Sequence, residues 1–414
     1  MQKKKIIVVG GGPSAMMAAI QAAANGQEVI LLERKNSLGN KLLLSGKGRC
    51  NLTNAEELEQ FLKRFSKNGD FLRDAFKKFF NQELMRFFEE RGLKLKIERQ
   101  LRVFPVTDRS ASILNVLKKE LDKVGVQVLC QSKVVDIIFE NRLIKGVRLE
   151  NGQDILGQRI ILATGGASYS FTGSDASGIN LARKLGHKIE PLRAGLIPFI
   201  VKQDFIKKLE GLTLHNIKLK FSDSKTDIFS DVGELLFTGF GISGPLVITA
   251  SGKVVDLLFK SQKVYVEVDL KPGLSVELLD NRLLREFKAN AKKNLKNMLK
   301  DLMPIRLIPV FLQVVGVDPF KKCSQITQKE REGIVRFLKN FHLDISAARP
   351  IEEGMVTRGG VSLKDINPRT MESRVVKGLY FCGEMIDIDA DTGGFNLQAA
   401  FSTGYLAGES AALN

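Results

Sequence analysis

Cysteine is scarce in this chain and never closely paired. Cys50, Cys130, Cys323 and Cys382 lie far apart, with no C-x-x-C among them, which argues against a structural zinc site and against a disulfide framework. No apolar run approaches the ~20 residues that span a bilayer. The basic start Met1-Gln-Lys-Lys-Lys5 imitates a signal peptide, but the apolar run behind it breaks at once into Gly10-Gly-Gly12. These absences lead us to expect a cytoplasmic protein that binds no metal. Acidic residues are in deficit as well: 46 Asp and Glu face 63 Lys and Arg, a formal net charge of +17. An enzyme acting on a small metabolite needs no such surplus. A protein that docks on a phosphate backbone gains from it, because each neutralised phosphate releases counterions. The plainer alternative is a Lys-rich surface without a partner. A length of 414 residues leads us to expect two or three domains.

What is present begins with Lys5 to Val9, an apolar strand running into Gly10-Gly-Gly-Pro-Ser-Ala15. A small-residue helix follows over Met16 to Ala24, Asn25-Gly26 stops it, and Glu28 to Leu32 form a second strand that ends at Glu33. G-x-G-x-x-A alone is weak evidence. Strand, glycine turn, helix, strand and terminal acid in that order within about thirty residues predict a dinucleotide site. Gly10 permits the tight turn, Gly12 lets a pyrophosphate approach the helix N-terminus, and Ala15 lets helix and sheet pack closely. Glu33 would accept from adenosine ribose hydroxyls, which disfavours a 2′-phosphate there.

The stretch Asn40 to Asn54 is too rich in glycine and polar residues for a helix and joins no obvious strand. Gly46 and Gly48 expose backbone N–H groups beside Lys47 and Arg49, an arrangement suited to an anion or a flavin edge; a plain capping loop is the alternative. Residues 56–123 read as mainly helical. Val124 to Leu149 read as strands with a hairpin at Glu140-Asn141, and Ile160-Ile-Leu-Ala-Thr-Gly-Gly166 follows. From Pro191 to about Lys271 the pattern alternates as in strands, and Gly239-Phe-Gly-Ile-Ser-Gly244 within it reads as a loop, for no βαβ unit surrounds it. Leu274 to Phe341 read as a helical insert in which Leu283, Phe287, Ala291, Leu295 and Leu299 form an apolar face. Lys288, Lys292, Lys296 and Lys300 form a basic ridge beside it, either an RNA-binding surface or a solvated face.

The C-terminal stretch complements the first. Leu379 to Cys382 form a short strand, Gly383-Glu384 ends it, an acidic loop follows, and a small-residue helix starts near Asn396. Gly383 would let backbone approach a flavin, Glu384 would offer a carboxylate to a ribityl or ribose hydroxyl, and the helix N-terminus would favour a ring that becomes anionic on reduction.

These motifs together resemble the YhiN/BaiN-like FAD-dependent oxidoreductases, often labelled aminoacetone-oxidase-family FAD-binding enzymes. The resemblance rests on Gly10 to Ala15, Ser45-Gly-Lys-Gly-Arg-Cys-Asn-Leu-Thr-Asn54, Ala163-Thr-Gly-Gly166, Leu236-Phe-Thr238, Gly241-Ile-Ser-Gly-Pro245, Thr357-Arg-Gly-Gly-Val361, Thr370-Met-Glu-Ser373, Gly383-Glu384 and Thr392-Gly-Gly-Phe-Asn-Leu-Gln398. It implies an α/β fold: a glutathione-reductase-like, Rossmann-type FAD-binding domain, discontinuous over 1–190 and 346–414, with a β-barrel-like insert at 191–271 and a helical insert at 272–345. It implies FAD, held by Gly10, Gly12, Pro13, Ser14, Ala15, Glu33, Arg34, Lys41, Ser45, Gly46, Asn51, Thr53, Ala163, Thr164, Gly165, Gly383, Glu384, Gly393, Gly394, Phe395 and Asn396, with NADH or NADPH as electron donor. One departure stands out: where the family commonly has His after the central Phe-Thr, this chain has Gly239. His187 and His215 lie near family-like loops and read more simply as structural or surface residues.

Some members of the family resemble reductases that convert a uridine of 23S ribosomal RNA to dihydrouridine; another branch is linked to bile-acid dehydroxylation. The basic charge favours ribosomal RNA as substrate. In that reading hydride reaches C6 of a uracil presented out of its stack, and a general acid protonates C5. Cys50 is the candidate acid, although Lys47 and Arg49 beside it would favour thiolate; a buried structural cysteine is the alternative. Lys47, Arg49 and Asn51 could instead bind uracil carbonyls or a phosphate. The rivals are an NAD(P)H-dependent reductase or oxidase of a small enone-like metabolite, and a non-catalytic flavin-bearing RNA-binding factor.

Overall fold

In the computed structural model, which describes residues 3–141, 143–261 and 263–413, the chain forms two compact units: 1–194 with 351–414, and 195–350. Met1 and Gln2 of the basic start lie outside the described residues.

The first unit is built on a five-stranded parallel sheet. Strand β1 (Lys5–Val9) sits at its centre, flanked by β2 (Glu28–Leu32) on one side and by Arg159–Leu162 on the other; Gln127–Leu129 and Leu379–Phe381 are the edges. The last strand thus comes from the far end of the chain. Ile6 to Val9 and Leu31 are buried on both faces, which is why β1 is a continuous apolar run without alternation. Helix α1 (Pro13–Ala24) packs along the C-terminal helix, Phe395–Leu413. Both are rich in small residues for a steric reason. A Cβ on Gly404 would lie 2.3 Å from the carbonyl oxygen of Ser14, and one on Gly408 2.3 Å from that of Ala18, so backbone meets backbone.

Two predicted stretches differ from expectation. The 56–123 region is helical only in part: Leu95–Ile97 and Arg102–Pro105 form a small antiparallel sheet with Thr53–Asn54. The Asn40 to Asn54 stretch, read as lacking helix and strand, holds a short helix at Asn40–Leu44 and that two-residue strand. The expected hairpin is formed by Val134–Glu140 and Leu143–Leu149.

In the second unit six antiparallel strands close into a ring. Thr213–Ser222, Gly233–Thr238, Gly241–Ser243, Phe199–Val201, Phe341–Ala348 and Val264–Asp269 pair in that order, and the last pairs back with the first. Val264, Val266 and Val268 are buried and alternate with half-buried Tyr265, Glu267 and Asp269, the period of two that a filled barrel requires. A helix at Pro245–Lys260 interrupts the expected run of strands. Its sequence, Pro-Leu-Val-Ile-Thr, favours β structure locally, but eight of its residues are buried, and that packing overrides propensity. The helical stretch Val276–Lys339 is an excursion between two adjacent barrel strands. The Lys288 to Lys300 ridge does not exist as one helix face. The helix ends at Ala289, a turn follows, and a new short helix starts at Leu295.

Candidate active site

At the end of β1, Gly10 turns with φ +117°, and a Cβ there would stand 2.4 Å from the Ala163 carbonyl oxygen of the neighbouring strand. No side chain can be accommodated. Gly12 precedes Pro13 in an ordinary extended conformation (φ −79°, ψ 178°), and a Cβ added to it would meet nothing within 4 Å. No side chain caps α1, so its first N–H groups, the positive end of the helix, point past Gly12 into open space. That combination suits a pyrophosphate.

Glu33 follows β2 and is 8% exposed; its carboxylate accepts the Lys35 N–H at 2.7 Å. Burial raises its pKa above the ordinary value, partly offset by backbone hydrogen bonds from Lys35 and Gly11. In the unfolded chain this carboxyl ionises near pH ~4.3; in the folded protein it resists. The folded state is therefore penalised as pH rises through that range and carries the full penalty above the raised pKa. Glu33→Gln in flavin-free protein is expected to melt higher than wild type at pH 8, with the gap closing below about pH 4. Equal gaps at both pH values would contradict this origin.

A second group joins four distant segments. Lys41 Nζ lies 2.6 Å from Glu384 Oε2 and 2.7 Å from Ser168 Oγ, while Ser168 Oγ and the Thr357 N–H donate to Glu384 Oε1 at 2.9 and 2.6 Å. Thr357 Oγ1 in turn accepts the Ala167 N–H at 2.7 Å. The carboxylate of Glu384, expected at a ribose or ribityl hydroxyl, is thus engaged by three donors of the chain itself. Ser168 and Thr357 are site residues that sequence reading missed; Thr357 opens the Thr-Arg-Gly-Gly motif, which was the available signal. Arg34, expected at the cofactor, is ion-paired with Asp175.

The glycine loop after Ser45 meets the start of the C-terminal helix. Thr53 Oγ1 donates to Gln398 Oε1 at 2.6 Å, Asn54 Nδ2 to the Gly393 carbonyl at 3.2 Å, and a Cβ on Gly394 would lie 2.3 Å from the Thr53 carbonyl oxygen. Several expected cofactor contacts are therefore internal struts. The Thr53 hydroxyl is committed to Gln398. Asn396 holds the acidic loop through both the N–H and the carbonyl of Ala390. Phe395 is buried, its ring 4.7 Å from that of Phe61 in an edge-to-face contact. The Ser45 hydroxyl donates to the Leu42 carbonyl at 2.6 Å. By contrast Asn51 Oδ1 and Thr164 Oγ1 are buried and have no hydrogen-bond partner among the described residues. Such orphans call for a ligand or water, and with the open space at Gly12 and the buried Glu33 carboxylate they make the residues present a fit for FAD. Gly383 keeps a left-handed turn (φ +73°) hard against Ser14.

Cys50 is fully buried within the core, and burial pushes its thiol up to about 12. The expected thiolate is thus not favoured. The two cations blamed for it are turned elsewhere: Lys47 is exposed, and Arg49 donates to Glu98 at 2.5 Å and to Asp108 at 2.8 Å with its guanidinium 4.2 Å from the Phe104 ring. Arg49 is correspondingly occupied, not poised for a uracil carbonyl. His187 is buried between the Ala182 carbonyl and Ser373 Oγ, at 3.0 and 2.7 Å, a satisfied structural residue. Burial lowers its pKa. A buried acid absent from the expectations is Asp389, which accepts from Ser66 Oγ at 2.7 Å and lies 3.3 Å from Arg358 Nε; burial raises its pKa. Among the described residues no helix is long and apolar enough to cross a membrane, and no cluster of three His, Cys, Asp or Glu could hold a metal.

Known proteins share this arrangement. A curated 3-dehydro-bile acid delta(4,6)-reductase of Clostridium scindens is 32% identical over 93% of this chain and 93% of its own length. A ribosomal RNA dihydrouridine synthase of Haemophilus influenzae is 29% identical over 92% of this chain and 91% of its own; the enzyme of that name in Escherichia coli is 28% identical over the same shares. Among solved structures, 3-ketosteroid-delta4-(5alpha)-dehydrogenase of Rhodococcus jostii superposes with a TM-score of 0.50 at 14% identity, covering 100% of this chain and 98% of that one. That likeness concerns the fold. The profile of the HI0933-like protein Rossmann domain matches residues 4–410. With its glycine turn, buried Glu33 and returning C-terminal strand, the chain belongs to the HI0933-like family of FAD-binding, FAD-dependent oxidoreductases.

Proposed function

We propose that this protein reduces a carbon–carbon double bond conjugated to a carbonyl, and that its substrate is a uridine of 23S ribosomal RNA, which becomes dihydrouridine. The surplus of 17 positive charges carries the choice of RNA, since a substrate of phosphodiesters rewards it and a neutral metabolite does not. Two relatives bearing the name ribosomal RNA dihydrouridine synthase support the same choice. FAD, when bound, supplies the hydride that such a reduction needs, with NADH or NADPH as the proposed source of electrons.

The chain's own residues then have distinct tasks. The N-terminus of α1 behind Gly12 holds the pyrophosphate and Glu33 the adenosine ribose. The Lys41–Ser168–Thr357–Glu384 group fixes four segments of the site in register, and Asn51 and Thr164 offer buried polar atoms to the cofactor. Addition at uracil C6 leaves negative charge that a proton at C5 must discharge. Cys50 remains the proposed donor: its thiol is in the protonated form that an acid requires, although the side chain is sealed from solvent.

The test is mass spectrometry of 23S ribosomal RNA from cells with and without the gene. Loss of one dihydrouridine on deletion, restored by the wild-type gene, is the expected result; unchanged content would overturn the RNA reading. Restoration by Cys50→Ala would keep the reaction and remove that role from Cys50. The second reading, reduction of a small enone, is favoured by the bile-acid reductase at 32% identity, and turnover of such an enone with no change in RNA would establish it.

A further inference from the structure

The helical part of the second unit contains an open groove of about 800 Å³, within the size range of clefts that take small organic groups. Local chain geometry builds it. The turn after Ala289 brings Leu295 and Lys296 beside Pro319 to Lys321, with the Leu295 N–H donating to the Lys321 carbonyl at 2.9 Å and the Lys296 N–H to the Pro319 carbonyl at 3.2 Å. Asp318 Oδ1 accepts the Phe320 N–H at 2.9 Å, which fixes the turn that presents Phe320. The helix Ile308–Val315 supplies Ile308 and Leu312 to the lining, and Lys296 and Lys300 belong to it as well.

Two features are unusual for a groove with no partner. Phe320 is 61% exposed and Ile305 66%, an apolar area that water penalises. Beside them Lys296 Nζ lies 3.9 Å from the Phe320 ring centroid. Residues 287–300 hold five lysines and no acidic residue, and among the described residues Lys292, Lys296 and Lys300 have no carboxylate within ion-pair distance, whereas Lys321 is paired with Glu330 at 2.7 Å. A presented aromatic ring among unpaired cations has the chemistry that single-stranded nucleic acid meets: bases stack on the ring and phosphates release counterions to the lysines. An acidic peptide would use the lysines but has no general need of the ring.

We propose that this groove docks a single-stranded segment of the RNA substrate, with a base stacked on Phe320 and phosphates neutralised by Lys292, Lys296 and Lys300. The inference rests on the RNA reading above and gives it a surface. Lys288, part of the ridge expected from sequence, lies on the preceding helix and outside the groove lining.

The test uses the full FAD-loaded chain and two fluorescein-labelled probes, an unstructured 16-nucleotide RNA and an RNA duplex of the same length, titrated across a KCl series. Phe320→Ala is expected to weaken single-strand binding about 5- to 100-fold and duplex binding far less. Lys296→Ala with Lys300→Ala is expected to lower the slope of log affinity against log salt by about 1.4. Phe320→Leu, which keeps apolar bulk without a flat ring, should behave as Phe320→Ala, and circular dichroism melts check that each variant is folded. Single-strand binding unchanged in the Phe320 variants overturns the proposal, as does tighter binding of polyglutamate than of RNA. If the variants bind as wild type while gene deletion still removes dihydrouridine, the groove falls and the enzymatic reading stands; if deletion also leaves dihydrouridine unchanged, both fall.

Discussion

Gly12→Ala is expected to give a folded protein that purifies without its yellow colour. Gly12 has a backbone conformation open to any residue, and its missing Cβ points into a space with no protein atom within 4 Å. The extra methyl therefore costs the fold little. It would occupy the approach to the uncapped N–H groups of α1, where a charged pyrophosphate gains hydrogen bonds worth roughly 1.5–3 kcal/mol each. Loss of one or two such bonds corresponds to an affinity for FAD lowered about 10- to 100-fold or more. Titration of apoprotein with FAD, followed by flavin fluorescence, measures it directly. Wild-type affinity in the variant would mean that the pyrophosphate is not at this helix. Gly10→Ala makes the contrast, because its Cβ would collide with the Ala163 carbonyl at 2.4 Å and so disturbs the sheet itself.

The second large effect concerns stability. Gly408→Val places its Cβ 2.3 Å from the carbonyl oxygen of Ala18, and the next nearest atoms are also backbone of α1. A backbone cannot rotate away as a flexible side chain would, so the two helices must separate along a seam that also includes Gly404 against Ser14. Overpacking of this kind costs about 1–3 kcal/mol and sometimes more, and a valine against backbone belongs at the upper end. A melting temperature lower by on the order of 10 °C is the expected readout. Gly273→Ala is the control: an added Cβ there meets nothing within 4 Å, and surface changes of that kind stay within about 0.5 kcal/mol. Equal melting of Gly408→Val and wild type would show that the helices do not pack backbone to backbone.

The parts of this protein that could be read in sequence are those whose cause is local. β1, Gly10, α1, β2 and Glu33 occupy one short stretch, and the turn, the helix start and the terminal acid each follow from spacing. The strand at Leu379 and the helix at Phe395 were legible for the same reason. Residues whose partners are distant in sequence were not. Thr53 and Asn396 look like ligand-binding groups until Gln398 and Ala390 are seen to occupy them. Glu384 looks free until Lys41, Ser168 and Thr357 converge on it. The lysine ridge failed in another way: apolar residues at four-residue spacing continue from Leu283 to Leu299, so periodicity alone joins two helices that the turn after Ala289 separates. The helix at Pro245 was hidden by β-branched residues chosen for burial.

The order in which the chain is made adds a consequence. α1 is among the first segments to emerge from the ribosome, and the helix that covers it, Phe395–Leu413, is the last. The edge strand Leu379–Phe381 is equally late. Through most of synthesis, the small-residue face of α1 has no counterpart and the parallel sheet lacks an edge, while residues 195–350 already have all the strands of their barrel. The barrel unit can therefore complete itself on the ribosome, and the nucleotide-binding unit is held open until translation ends. A nascent chain halted before Leu379 would leave Ala15, Ala18 and the start of the glycine turn unsheltered, and quality-control proteases would meet that surface first.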